Sequence, residues 1–400
     1  MSRLDELITE LCPDGVEYKC FGDVASIVRG ASPRPIKNFI TDDENGVNWI
    51  KIGDVKTGDK YITETEEKIT LEGAKKSRNV QPGDFILSNS MSFGRPYILK
   101  TSGCIHDGWL AISGFSKTFE TDFLYYLLNS SSLQNEMRKK ASFGGAVQNL
   151  NADIVKALVL PVPPLPVQRE IVRILDNFTE LTTELTTELA ARQKQYAYYR
   201  HKLLTYGEET KWAKLGDIGK VSMCKRIMKN ETSSIGDVPF YKIGTFGKQA
   251  DAYISRETYE RYKSEYSYPK KGDILISAAG TIGRTVVFDG KPAYFQDSNI
   301  VWLANDETLV LNKFLYYWYQ TSPWKVSTGG TISRLYNDNI AGAKVPLLPI
   351  ETQKKIVYVL ERFDMVCHDI SNGLPAEIAA RQKQYEYYLD KLLTFKPLAS

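Results

Sequence analysis

The sequence has 400 residues, long for a single core, and its 42% hydrophobic and 25% charged content is that of a globular protein with two or more domains. A net charge of +3 is too small to imply a nucleic-acid partner by itself, and no run of about 18 apolar residues suggests a membrane span. Five scattered cysteines without a C-x-x-C pair, and three histidines without ligand spacing, give no reason to expect a disulfide framework or a structural metal site.

In chain order, SRLDELITEL (2–11) predicts a short amphipathic helix. It is acidic and lacks the apolar core of a signal peptide, so the cytoplasm is the expected compartment. PDGVEYK (13–19) mimics the PD…(D/E)xK nuclease spacing with Asp14, Glu17 and Lys19. That chemistry needs its carboxylates on separate adjacent strands, and two intervening residues cannot make the turn. Short β-rich runs come next, NWIKIGDV (48–55) and PGDFILSNSMSFGR (82–95). The second of these holds a polar loop with Asn89, Ser92 and Arg95.

DFLYYLLNSSSLQNEMRKK (122–140) predicts helix with an aromatic stripe turned to the core. Its basic end, including Arg138 and Lys139, precedes a second polar loop, FGGAVQNLN (143–151), with Gln148 and Asn149. Proline-rich LPVPPLP (160–166) closes this unit and stiffens the entry to a long helical segment. No proline or glycine interrupts residues 167–206, where Ile171, Ile174, Leu175, Phe178, Leu181, Leu185 and Leu189 keep one apolar stripe. Such a helix would run about 60 Å.

The second half repeats the first in order. CFGDVASI (20–27) returns as KLGDIGKV (214–221), and NWIKIGDV as PFYKIGTF (239–246). PGDFILSNSMSFGR returns as KGDILISAAGTIGR (271–284), with Thr281 and Arg284 in its loop. FGGAVQNLN returns as TGGTISRLY (328–336), with Ser333 and Arg334, just after Lys325. PLPVQREIVRILDNF (164–178) matches LPIETQKKIVYVLERF (348–363), setting Gln168 against Gln353. ELAARQKQYAYYRHKLLTY (188–206) matches EIAARQKQYEYYLDKLLTF (377–395). In the second copy, SNGLPAEI (371–378) predicts a break, with Pro375 opening a new helix. The N-terminal helix holds before the first unit the place that KLLTY holds before the second, so the arrangement is nearly cyclic.

Arginine can bridge guanine O6 and N7, asparagine and glutamine can bridge adenine N6 and N7, and glycine admits close backbone approach to phosphate. Asn89, Ser92, Arg95, Arg138, Lys139, Gln148 and Asn149, with Thr281, Arg284, Lys325, Ser333 and Arg334, are therefore the candidate DNA contacts. A surface that reads different bases in each unit should differ between copies, and these loops do. The repeated helix does not differ, which suits two identical partners. Arg192, Gln193, Tyr196 and Tyr199, with Arg381, Gln382, Tyr385 and Tyr388, are the candidate helix seam and subunit dock. No catalytic apparatus stands out: G-x-x-x-x-G-K-[ST], G-x-S-x-G and Asn/Asp-Pro-Pro-Tyr are all missing from the sequence.

CPDGVEYK (12–19), QREIVRILDNFTELTTEL (168–185) and GLPAEIAARQKQYEYYLDKLL (373–393) resemble the DNA specificity subunits of type I restriction–modification enzymes, and the two-unit layout extends the likeness over essentially the whole chain. The resemblance implies an α+β fold of two tandem mixed α/β target recognition domains, separated by two long conserved helices packed as an antiparallel coiled coil, with a pseudo-twofold internal repeat. The expected segments are an N-terminal helix at 1–15, recognition domains at 16–163 and 207–346, a central helix at 164–206 and a C-terminal helical region at 347–400. It also implies a non-catalytic subunit that reads an asymmetric bipartite sequence in double-stranded DNA, one half per domain. Two modification subunits using S-adenosylmethionine and two restriction subunits using ATP and Mg would dock on it, and the chain itself would hold no cofactor. A specificity subunit of a related, non-type I restriction system would share the fold. An unrecognised nuclease and a coiled-coil scaffold that binds protein are the readings from other classes. TELTTELTTEL (179–189) contains a tandem TTEL inside the first long helix, a natural place to set the spacing between half-sites.

Overall fold

The computed structural model describes residues 2–398 except 57, 90–92, 145–146 and 327–333, with the backbone alone at 142–144 and 147–149. It divides into two units, Met1–Leu185 with Glu377–Ser400, and Thr186–Ala376. Among the described residues no helix is long and apolar enough to cross a membrane.

In the first unit, two five-stranded sheets are built from short strands. One runs in the order Ser26–Arg29, Trp109–Ser113, Phe85–Ser88, Pro96–Leu99 and Tyr61–Ile62; the other contains Val47–Ile50 and Gly103–Ile105 at its middle. The continuous apolar run at Phe85–Ser88 is buried at every position, as a strand covered on both faces requires. On one face it meets Ile50, Tyr97, Leu99 and Trp109 of the inter-sheet core. On the other it meets Phe119, Phe123 and the helical residues Ile171 and Leu175.

The second unit repeats this plan with less sheet. Gly219–Ser222, Ile300–Asn305, Ile274–Ser277 and Thr285–Val287 form four strands in that order, and Tyr253–Ile254, Val238–Tyr241 and Tyr294–Phe295 form three. The turns that feed the matching strands are built alike. Gly83 and Gly272 hold φ +93° and +94°, which favours glycine. The following Asp84 and Asp273 accept from the amides of Gln81 and Lys270 at 2.9 and 2.8 Å.

Each globular part is latched to its helix by one glutamine. Gln168 is fully buried; its Oε1 accepts from the Glu120 amide at 2.8 Å, and its Nε2 donates to the carbonyls of Thr118 at 2.9 Å and Pro163 at 2.7 Å. Gln353 does the same with the Leu311 amide at 2.8 Å and the carbonyls of Leu309 and Leu348 at 2.9 and 2.8 Å. A buried amide with one acceptor and two donors thus ties three chain segments together in each unit.

The uninterrupted central helix spans Leu165–Leu203, 39 residues. The second copy breaks as its glycine and proline require, into Ile350–His368 and Leu374–Leu392. The cyclic character is physical as well as sequential. In the first unit the C-terminal tail closes on the start of the globular part: the Val16 amide donates to the Lys396 carbonyl and the Leu398 amide to the Val16 carbonyl, both at 2.9 Å, and Tyr18 Oη donates to the Phe395 carbonyl. In the second unit covalent chain occupies the corresponding place, residues 204–211 leading into the strand Trp212–Lys214. The N-terminal helix Arg3–Leu11, capped by Ser2, adds Leu4 to the core that holds Leu389 and Leu393.

Candidate nucleic-acid interface

The first polar loop of each unit is closed by one pattern of hydrogen bonds. In the first unit the Ser88 amide donates to the Arg95 carbonyl at 3.1 Å, the Arg95 amide to Ser88 Oγ at 3.1 Å, and the Gly94 amide to the Ser88 carbonyl at 2.9 Å. In the second, Ser277, Arg284 and Gly283 make the same three bonds, each at 2.9 Å. Gly94 and Gly283 take φ +70° and +80°, and a Cβ would come within 3.3 Å of Gln134 or 3.1 Å of Trp324. The turn therefore needs glycine twice over.

The next residue links this loop to two others. Asn89 donates its amide to Gly108 and accepts from the Leu150 amide at 3.1 and 2.8 Å; Ala278 does so with Asn299 and Leu335 at 2.7 and 2.9 Å. Each unit thus joins the start of its first polar loop to Gly108 and Leu150, or to Asn299 and Leu335. The first polar loop, a strand-to-strand turn and the segment leading out of the second polar loop converge at one edge.

The candidate residues fall into distinct places on this frame. Asn89 is buried, and its Nδ2 donates to the Asp107 carbonyl at 3.0 Å. Arg334 turns inward, its Nη2 donating to the Ser298 carbonyl at 2.9 Å and to Asn299 Oδ1 at 3.2 Å. Both side chains thus bond to the neighbouring third loop. Arg284 is half-buried, with Nη1 donating to the Phe246 carbonyl at 3.0 Å, while Arg95 is also half-buried and Thr281 is exposed. Arg138 and Lys139 are exposed in the last turn of the helix Ser131–Lys140, and Lys325 is exposed in the second unit. Gln148 and Asn149 belong to the hairpin strand Val147–Asn149, their side chains outside the description; Ser92 and Ser333 lie outside the described residues.

The third loop carries charges that sequence reasoning did not single out. Asp107 Oδ1 accepts from Ser32 Oγ at 2.8 Å, its Oδ2 meets Arg34 Nη2 at 3.4 Å, and its carbonyl accepts from Arg29 Nε at 3.0 Å. Burial pushes the Asp107 carboxyl up, but the Ser32 hydrogen bond and the His106 and Arg29 charges outweigh it and leave the group below its ordinary range. In the second unit Asp297 Oδ2 accepts from Arg226 Nε at 2.9 Å. Acidic anchors thus hold arginines at the loop edge in both units, across 73 and 71 residues of sequence.

The repeated helix is a seam with an exposed outer face. In the second unit Tyr196 is buried against Phe363 and His368, and Tyr199 stacks on Phe363 at 5.5 Å and 25°. Rising numbers on the central helix meet falling numbers on Ile350–His368, so the two run antiparallel. In the first unit Tyr388 stacks on Phe178 at 5.4 Å and 20°, and Tyr385 meets Tyr126 edge-on. Arg192 sits between Glu188 and Gln195, and Arg381 between Glu377 and Gln384, the same arrangement along each helix. Gln193 and Gln382 are exposed, as are Tyr198 and Tyr387, each at 60%.

A family model for the type I restriction modification DNA specificity domain matches the chain twice, over residues 13–192 and 208–380. A putative type I restriction enzyme specificity subunit of Haemophilus influenzae is 58% identical over 249 residues, 60% of this chain and 65% of that protein. The chain therefore spans just under two thirds of that relative. The specificity subunit of the Escherichia coli enzyme EcoR124I/EcoR124II is 31% identical over 292 residues, 68% of this chain and 70% of its own length. Among solved structures, the HsdS subunit from Thermoanaerobacter tengcongensis matches with a TM-score of 0.58 at 18% identity, covering 96% of this chain and 97% of its own. A chain from a study of assembly and conformational transition in the type I R-M system matches with a TM-score of 0.60 at 16% identity, covering 95% of this chain and 98% of its own. At those identities the structural likeness establishes the fold.

Proposed function

Because the chain belongs to the type I restriction modification DNA specificity family, carrying the family's domain twice, we propose that it is the non-catalytic subunit that reads DNA for a restriction–modification complex. Each unit is a target recognition domain and reads one half of an asymmetric bipartite sequence in double-stranded DNA. One observation carries this reading: the two units share the same backbone-built loop frame while presenting different side chains on it. A frame made of main-chain bonds places the loops; the variable side chains on it supply base readout. Arg95, Arg138, Lys139, Gln148 and Asn149 are the proposed contacts in the first unit, with Thr281, Arg284 and Lys325 in the second. Arg29, Arg34 and Arg226 join them at the third loop, while Asn89 and Arg334 hold the frame.

The invariant helix face is the dock. Gln193 with Tyr198, and Gln382 with Tyr387, present the same exposed surface twice, which supports two identical modification subunits. S-adenosylmethionine belongs to those subunits. Two restriction subunits complete the assembly with ATP and Mg, and this chain contributes neither catalytic groups nor a cofactor.

Co-expression with the cognate modification subunits, followed by genome-wide mapping of methylated adenine, tests the proposal. The expected result is one bipartite motif. Exchanging residues 277–284 for those of a relative should change one half of the motif and leave the other intact. Modification without any bipartite motif would overturn the assignment.

A further inference from the structure

Among the differences between the two units, one lies at a sheet edge. In the first unit the strand Tyr61–Ile62 lies parallel to Pro96–Leu99 and completes the sheet edge. The amides of Ile98 and Lys100 donate to the carbonyls of Lys60 and Ile62 at 2.9 and 2.8 Å. Ile62 is buried in the inter-sheet core with Ile50, Ile86, Tyr97, Leu99 and Ile105. Lys60 turns the other way, toward the aromatic helix Thr121–Asn129 and the central helix. Its Nζ meets Asp122 at 2.5 Å and Asp176 at 4.0 Å, and lies 5.0 and 5.2 Å from the ring centres of Tyr125 and Tyr126.

The second unit lacks this strand. Register makes Val287 the equivalent of Ile98, since Phe85 pairs with Ile98 and Ile274 with Val287. Among the described residues no strand lies beyond Thr285–Val287 on that edge. The cause is in the sequence: from Lys51 to Ile69 is eighteen steps, whereas from the matching Lys242 to Ile254 is twelve. The six missing residues are those that would form the strand.

What remains open is the apolar half of the site. A cavity of about 380 Å³ is lined by Tyr241, Phe246, Leu275, Val286, Phe288 and Phe295. These are the register equivalents of Ile50, Val55, Ile86, Tyr97, Leu99 and Ile105, which surround Ile62 in the first unit. Across Val287 lies a groove lined by Tyr316, Tyr317, Tyr358, Glu361, Asp364 and Met365. Tyr316 and Tyr317 stand where Tyr125 and Tyr126 receive Lys60, but Lys313 takes the place of Asp122 and supplies the cation itself, its Nζ 2.6 Å from Glu361. Between the cavity and the groove, Val287 is 45% exposed. The ladder to Ile274–Ser277 uses the amide of Phe288, so by strand alternation the Val287 amide faces outward.

We propose that this edge accepts an extended segment of a partner protein. It would pair parallel to Thr285–Val287 and set a branched aliphatic side chain in the cavity. The first unit's own Lys60-Tyr61-Ile62 is the template for that pattern. Strand addition supplies main-chain bonds and the cavity supplies selectivity. The inference rests on the comparison of the two units and does not depend on which bases are read.

The test uses the full chain and a fluorescent octapeptide of the sequence Gly58–Thr65. Saturable binding is expected, weakened about tenfold or more by Ile62→Asp in the peptide, because a buried branched side chain is worth at least that factor. Replacing residues 247–251 of the chain by residues 56–66 would supply the strand in cis and should abolish binding. Val287→Pro, which removes the outward amide at an edge where proline is tolerated, should do likewise if the graft fails to fold. Peptide binding that survives both variants, or equal binding of a scrambled peptide, would overturn the proposal. So would absence of peptide binding together with a graft that weakens DNA affinity, since the edge would then belong to nucleic acid. Self-association of the wild-type chain that the graft removes would make a second copy the occupant and overturn the partner-protein assignment.

Discussion

Replacing Gln168 by leucine should loosen one unit and leave the other untouched. Leucine approximates the glutamine's volume, so packing changes little, but three backbone groups lose their partner: the Glu120 amide and the Thr118 and Pro163 carbonyls. A buried polar group left unpaired costs about 1–3 kcal/mol. Thr118 and Glu120 are half-buried, so water can recover part of that, and the expected loss is about 2–4 kcal/mol in all. For a unit of roughly 200 residues this lowers the melting temperature by about 5–12 °C. Gln353→Leu should do the same to the second unit through Leu309, Leu311 and Leu348. The two glutamines share no partner, so the double variant should show both shifts independently. Gln168→Glu keeps the acceptor but sets a carboxylate against two carbonyls, and should be no better than leucine. Calorimetry of the full chain resolves the outcome, each variant moving a different transition. An unchanged profile for Gln168→Leu, or a shift of the same transition by both variants, would refute the latch.

Two further outcomes are expected. Inserting one TTEL into residues 179–189 lengthens the helix by about 6 Å with a rotation of roughly 40°, a little under two base pairs at about 3.4 Å each; methylome mapping should show a changed spacer and unchanged half-sites, and an unchanged spacer would refute the helix as ruler. Arg138→Ala and Lys139→Ala remove exposed charges beside the first unit's loops; each should weaken binding uniformly across sequences and lower the slope of log affinity against log salt by about 1 per lost phosphate contact.

Much of this architecture was legible because repetition exposes it. Gln168 and Gln353 occupy matching positions in sequence, and both turn out to make the same three bonds. The unbroken helix at Leu165–Leu203 and the break before Pro375 follow from where glycine and proline occur. Contacts across long separations were not legible. Asp107 binds Ser32 and Arg34 across 75 and 73 residues, and nothing local marks an aspartate as the anchor of a distant arginine. The strand Tyr61–Ile62 was equally hidden: two residues are too few to show a period, and an insertion has no counterpart to align with.

Residue type alone does not show where a loop side chain is held. Asn89 and Arg334 have the chemistry of base readers, and both direct it inward, at the Asp107 carbonyl and at Ser298 with Asn299. The distinction follows from how the frame is made. At Ser88 and Ser277 the bonds run through main-chain amides and carbonyls and one serine hydroxyl. The positions between that serine and the glycine, Gly94 or Gly283, can therefore change without dismantling the loop. The joining positions Asn89 and Ala278 themselves carry different side chains, because their bonds to the other loops run through the main chain. Variation in what is read should therefore concentrate between the framing residues, and a polar side chain at a joining position should be tested first for folding and only then for specificity.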